Sequence, residues 1–506
     1  MKAKVGIGEI SPIASVSTLS RRAAFSRIAR IFVGTTAAVN ASTPPREATA
    51  SPRTSETDGT PPRRRLYVPA SNGTDDTRII QSALDDGAGG EVVFATGGTW
   101  FIDASAGLAP RSNTVIRIEA QAKLEVIPNG LPSYRLFNIG RDGAVHNVTI
   151  QGSGTLVGDS GAHTGQSGEY GHLIYITNGS SEVRILGPLA ISRAWGDGIY
   201  IGGGSYGNCK EVLIDGVTVS DCRREGIAAF WVDGCIIRNC HVHSIGATSL
   251  TGPATGIDCE PNPEGSGNFV NRLTIENCLV EDTPGIGIFA SENTGPITNL
   301  IIRNNTVRNC GRGYPGREKY KTNGIHVAGV DQPIIINNTV QACGSKSDES
   351  GASGQILLRA CNRPLLALCD VSDGLGRGVF IWACTASRIE DLSIERNLGS
   401  GLAAYRSNGT AIRRSRLADN LRGDAGGGHL EINTSNHCVI EGNTFRGDTG
   451  SSWVTVQPSA SDNLIANNIG FGRGPINEIS NRGLGTTEFG NVREIDGSAM
   501  PWSAAG

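Results

Sequence analysis

No sign of charge dominates this 506-residue sequence: 45 lysines and arginines stand against 48 aspartates and glutamates, a net charge of −3. Without a basic excess there is no electrostatic footprint for nucleic acid or for an anionic membrane surface. No apolar run comes near the ~20 residues that cross a bilayer, so no membrane span is expected. Twelve cysteines are too sparse for a disulfide scaffold, and no CxxC or Cys/His pair has zinc spacing. The strict three-residue glycine period of a collagen is missing as well.

Glycine itself is abundant. The 69 glycines are about twice the usual ~7% share and are spread along the chain, not gathered in a linker. A helical bundle cannot absorb so many helix-destabilising residues. Disorder is excluded too, because Ile, Val and Leu recur in short strand-like runs throughout. What remains is an all-β protein with many tight turns.

The first residues read as delivery. From Leu19 the chain has a basic start with Arg21, Arg22, Arg27 and Arg30, a mildly apolar stretch and a small-residue end at Val39-Asn40-Ala41. Ser20-Arg21-Arg22 resembles a twin-arginine export signal, so residues 1–41 are expected to direct periplasmic or secreted export. Residues 42–65, rich in Pro, Ser, Thr and Arg, form an expected linker.

A repeat governs the rest. Cut before each Gly-Ile-like pair, the sequence yields units such as EVLIDGVTVSDCRREGIAAFW from Glu211 and NRLTIENCLVEDTPGIGIFAS from Asn271, with a period between about 23 and 37 residues. Each unit holds two or three short alternating strands and could not bury its apolar face alone. Stacking equivalent strands in parallel, ~4.8 Å apart, gives one continuous core. The expected architecture is a right-handed parallel β-helix over residues 111–470, with an N-terminal helical cap over 66–110 and a C-terminal cap and tail over 471–506. Asn239, Asn277, Asn304 and Asn337 fall in one turn column, expected to be an amide ladder satisfying buried turn groups. Cys240 with Cys278, and Cys310 with Cys343, are expected on neighbouring coils as buried free thiols.

This pattern resembles the pectate lyase-like superfamily of parallel β-helix proteins. The stretch TDDTRIIQSALDDGAGGEVVFATGGTWFI from Thr74 is similar to that superfamily's N-terminal cap, with Ile79, Ile80, Ala83 and Leu84 as the apolar stripe of its helix. Asp197-Gly198-Ile199 resembles the Asp-Gly-apolar motif of polygalacturonase-type hydrolases. Arg224-Glu225-Gly226 falls where those enzymes carry paired aspartates, with arginine in the first place, and their Gly-His-Gly and Arg-apolar-Lys motifs are missing. The resemblance therefore implies a different carbohydrate-active branch, not a homogalacturonan hydrolase.

The register glycines also locate candidate chemistry. Two positions after the mark, outward by strand alternation, come Tyr200, Ala228, Asp258, Phe289, His326, Leu357, Phe380, Ala403 and, with one shift, Glu431. Four positions after it come Phe230, Glu260, Arg359, Trp382 and Tyr405 among others. Asp197, Glu225, Asp258 and Glu260 fall on three successive coils, and crowded carboxyls raise one another's pKa, as acid–base hydrolysis requires. They are the candidate catalytic residues. His326, Arg359, Lys321, Trp382, Tyr405 and Phe230 are candidates for binding sugar, by hydrogen bond, charge or ring stacking.

The favoured reading is an exported glycoside hydrolase with a polysaccharide substrate. Two alternatives stand beside it: a lyase in which the same acids hold Ca²⁺ on a uronate while Lys or Arg removes a proton, and a non-catalytic glycan-binding or structural solenoid.

Overall fold

The computed structural model describes residues 64–204, 207–261, 267–313, 323–344, 354–423, 427–447, 452–471, 479–481, 483–495 and 498–502. The expected export segment, nearly all of the expected linker and Lys321 lie outside the described residues. Within the unit Pro62–Gly506 the strands form three sheets of 17, 16 and 13 strands. Each coil visits all three in turn, as in Cys209–Asp215, Thr218–Ser220 and Glu225–Ala229, and each strand pairs in parallel with its copy on the next coil. Among the described residues the exception is the terminal pair Val492–Ile495 and Ser498–Pro501, which is antiparallel. The right-handed parallel β-helix is thus the fold. Its coils begin inside the stretch expected as cap, since Glu91 already pairs with Val115 and Thr99 with Lys123.

Alternation explains the core. On the first sheet Ile185, Ile214, Ile237, Ile275, Ile302 and Ile335 follow one another in register, all fully buried. Burying one such side chain contributes ~1.5–3 kcal/mol, and the ladder repeats it at every coil. At the N-terminal end the helix Thr77–Asp86 turns Ile80, Ala83 and Leu84 into the same core, with Ile79 packed against it. The acids lie just before that helix: Asp75 accepts the Thr77 backbone N–H at 2.9 Å, and Asp76 accepts from Asn72 and Phe101.

One turn expectation is shifted by a residue. Asn239, Asn277, Asn304 and Asn337 do share a column, but they are exposed and hold the left-handed conformation, φ 54° to 57°. Asparagine suits that place because its short polar side chain tolerates positive φ. The buried amide ladder is formed by the residue that follows. Asn305 Oδ1 accepts the Cys278 N–H at 2.9 Å, and Asn338 Oδ1 accepts the Asn305 N–H at 3.0 Å. The pattern returns near the other end, where Asn443, Asn468 and Asn491 link successively. All twelve cysteines are free and buried.

Candidate active site on the third sheet

The third sheet carries the acids. Asp197 lies just before Ile199–Ile201, Glu225 opens Glu225–Ala229, Asp258 belongs to Thr255–Cys259, and Glu260 follows that strand. Pairing puts Tyr200, Ala228, Asp258, Phe289, His326, Leu357, Phe380, Ala403 and Glu431 in one column. The outward column is not an open face, however. Asp197 and Glu225 are 0% exposed and Asp258 1%, because large side chains on this face close over their neighbours.

Arg224 is the centre of the group. Its Nη1 donates to both Asp197 carboxylate oxygens, at 3.2 and 3.1 Å, and lies 2.9 Å from Glu225 Oε1. Glu169 is 3.8 Å from its Nε. In sequence this arginine stands where polygalacturonase-type hydrolases carry the first of two aspartates. In the structure it is the counter-ion that makes three buried acids tolerable.

The carboxyls are poised differently. Burial pushes Asp197 up to about 6, against the Arg224 charge that holds it down. Burial and then the Glu260 charge push Asp258 up to about 8. Burial also raises Glu225 well above the usual carboxylate range, with Asp197 and Asp258 adding to the shift. Glu225 and Asp258 stand on successive coils, where Glu225 pairs with Thr255, and each raises the proton affinity of the group as a whole.

His172 completes the group and escaped the sequence reading. Its Nδ1 accepts the Asp197 backbone N–H at 3.1 Å, so a neutral ring carries its proton on Nε2. Burial, then the Arg135 and Arg224 charges, lower its pKa well below the ordinary imidazole value. The ring stacks on Tyr200 at 4.7 Å, and Tyr200 stacks on Tyr175 at 5.2 Å. A signal was available: Leu173-Ile174-Tyr175-Ile176 continues the repeat one coil upstream, with Ile174 paired to Ile199. That register sets His172 beside Asp197.

The other candidates lie elsewhere. Phe230 is one coil before Asp258 and 1% exposed, with Tyr200 against its ring edge-on at 5.2 Å, so it packs the wall and presents no face to a sugar. His326 is two coils beyond Asp258, buried, with Phe289 5.1 Å away. Arg359, Trp382 and Tyr405 form consecutive rungs of their own, starting three coils beyond Asp258. Calcium fits the acids poorly: Arg224 already supplies positive charge, the raised carboxyls hold protons, and among the described residues no cluster of three or more His, Cys, Asp or Glu could hold a metal ion.

Comparison with known proteins agrees with the fold. The chain matches the family model described as "Right handed beta helix region" over residues 137–340 and 323–481, more than half of its length. It is 24% identical over 470 residues to the uncharacterized protein YclG of Bacillus subtilis, covering 80% of this chain and 76% of that protein. Among solved structures, the pre-mature gene product 12 of bacteriophage phi29 is similar with a TM-score of 0.51 at 14% identity, over 86% of this chain and 56% of that one. The A-module of the mannuronan C-5 epimerase AlgE6 from Azotobacter vinelandii gives a TM-score of 0.42 at 15% identity, over 83% of this chain and 96% of that one. These structural likenesses concern the fold alone.

Proposed function

Because this chain belongs to the right-handed β-helix family and sets an acidic centre on the outer side of its third sheet, we propose that it hydrolyses glycosidic bonds of a polysaccharide. The observation that carries this reading is the burial of Asp197, Glu225 and Asp258 together on neighbouring coils, with Arg224 paired to the first two. Buried carboxyls are costly, and an apolar side chain would fill the same space more stably. Their separated pKa values suit acid–base catalysis: the proton held by Asp258, about 8, goes to the leaving glycosidic oxygen, while Asp197, about 6, takes a proton from the attacking water. Arg224 holds Asp197 and Glu225 in place, and the rings of Tyr175, Tyr200 and His172 form the adjoining wall.

A panel of purified polysaccharides, read for new reducing ends and for ultraviolet absorbance, tests the reaction. Hydrolysis releases reducing ends without the absorbance of an unsaturated sugar, whereas a lyase produces both. On the substrate so found, Asp258→Asn is expected to lower kcat by about 10²–10⁴. EDTA is expected to leave turnover unchanged, and calcium-dependent turnover would favour the lyase.

The burial of the acids favours a second reading, a non-catalytic solenoid in which the same network is structural. It predicts no turnover on any glycan. The proposal includes export through the segment from Leu19: cell fractionation should find the wild type outside the cytoplasm and the Arg21→Lys, Arg22→Lys variant inside it.

A further inference from the structure

On the same outer face, farther along the stack, lies a second group of side chains. Arg359, Trp382, Tyr405 and Asn433 are paired in register on four successive coils. Arg359 is exposed, and its guanidinium lies over the Trp382 ring at 5.2 Å. Arg377 lies over Phe380 at 4.8 Å and over Tyr405 at 5.3 Å. Trp382 and Tyr405 are half-buried, resting on a separate apolar cluster of Leu357, Phe380 and Ala403 that is not part of the core. Tyr405 Oη donates to Glu431 Oε2 at 2.8 Å, and Ser400 Oγ also bonds that carboxylate, so Glu431 is tied down from within.

The column connects this platform to the acids. Ser291 and Ala328 occupy the coils between Glu260 and Arg359, so within this column the intervening side chains are small. Counting coils from Asp258, Arg359 is three away, Trp382 four and Tyr405 five. At ~4.8 Å per coil these are ~14, ~19 and ~24 Å along the stack. A single sugar cannot touch both places, but an extended oligomer lying along the stack can. Aromatic faces with an interleaved cation suit pyranose rings that bear negative charge, since the rings supply apolar area and the arginines supply counter-charge.

We infer that this platform is a remote binding subsite for an acidic polysaccharide, one carrying carboxylate or sulfate groups, which runs along the third sheet to the acids. The inference deepens the hydrolase reading and rests on it for the direction in which the chain lies. Recognition far from the reacting bond would favour long substrates over short ones.

The experiment measures binding of the full chain to polygalacturonate, to ι-carrageenan and to neutral dextran by microscale thermophoresis, at low and at raised salt. Expected is salt-sensitive binding to at least one acidic polymer and none to dextran; which acidic polymer binds separates carboxylate from sulfate recognition. Arg359→Gln and Trp382→Ala should each weaken that binding by about tenfold. Circular dichroism of each variant checks folding, and Arg359→Lys, which keeps the charge but loses the stacking plane, should recover it only in part. Failure to bind either acidic polymer, equal binding to dextran, or undiminished binding by Arg359→Gln and Trp382→Ala overturns the inference. If the wild type binds an acidic polymer in this way and turns nothing over, the hydrolase reading falls while the subsite stands.

Discussion

At the scale of the residue, the acidic centre is a problem in proton affinity. Asp258, about 8, and Asp197, about 6, both bind protons more tightly in the folded protein than in the unfolded chain, where carboxyls titrate near 4. Between pH ~4 and ~8 the folded state therefore holds more protons, so their contribution to stability is full at the acid end and is lost as pH rises. Thermal denaturation should show Tm falling from pH 7 to pH 8.5, above the range where the buried neutral His172 acts in the opposite sense, and Asp258→Asn should flatten that fall and raise Tm at pH 8. A Tm that rises over this range in the wild type would contradict the raised values. His172 gives a second check. With Nδ1 accepting the Asp197 N–H and burial opposing the imidazolium, ¹⁵N spectra of histidine-labelled protein should show its ring neutral, protonated on Nε2, and not titrating between pH 5 and 8. Assignment would come from the loss of its signal in His172→Gln.

The repeating coil makes its glycines and asparagines legible at the scale of the element, though to different depths. Gly256 marks the entry to Thr255–Cys259, and a Cβ there would lie 2.5 Å from Val280 Cγ1 and 2.6 Å from the Gly287 carbonyl oxygen. Gly287 is under the same constraint against Val307 Cγ1, also at 2.5 Å. The register mark thus reflects backbone pressed against the valines of the second sheet. Gly256→Ala is expected to cost ~1–3 kcal/mol in urea denaturation. Asparagine was read one residue off, because composition at a two-residue corner does not say which of two neighbours turns inward. The structure separates them: Asn338 has its amide buried between coils, while Asn337, at φ 55°, donates its Nδ2 to Asn304 Oδ1 at 2.9 Å on the exposed side of the corner. Asn338→Ala should cost ~1–3 kcal/mol by leaving buried partners unsatisfied, and Asn337→Gly should cost almost nothing.

Across the whole molecule, stability is a sum of coil-on-coil contacts, and each coil leans on two neighbours except at the ends. Hydrogen–deuterium exchange read by mass spectrometry should find the amides of Ile301–Arg303 slower than those of Thr487–Phe489, which meets the last coils of the stack. Uniform exchange along the stack would contradict this picture. The sequence alone determined the coil, since a period-2 pattern of Ile and Val, broken at regular glycines, leaves parallel stacking as the way to bury every apolar face. It also determined the column that runs from Tyr200 to Glu431, because register follows from the same repeat. Only the tertiary structure decided what surrounds that column. Burial depends on side chains from several coils at once, so Phe230 and His326 could be read as surface groups although both are buried. Only there, too, did Arg224 emerge as the partner of Asp197 and Glu225, and His172 as a fixed neutral ring beside them. The pattern says which side of a strand a residue takes, whereas the proton affinity of a buried carboxyl is set by distances between coils and by the exclusion of water.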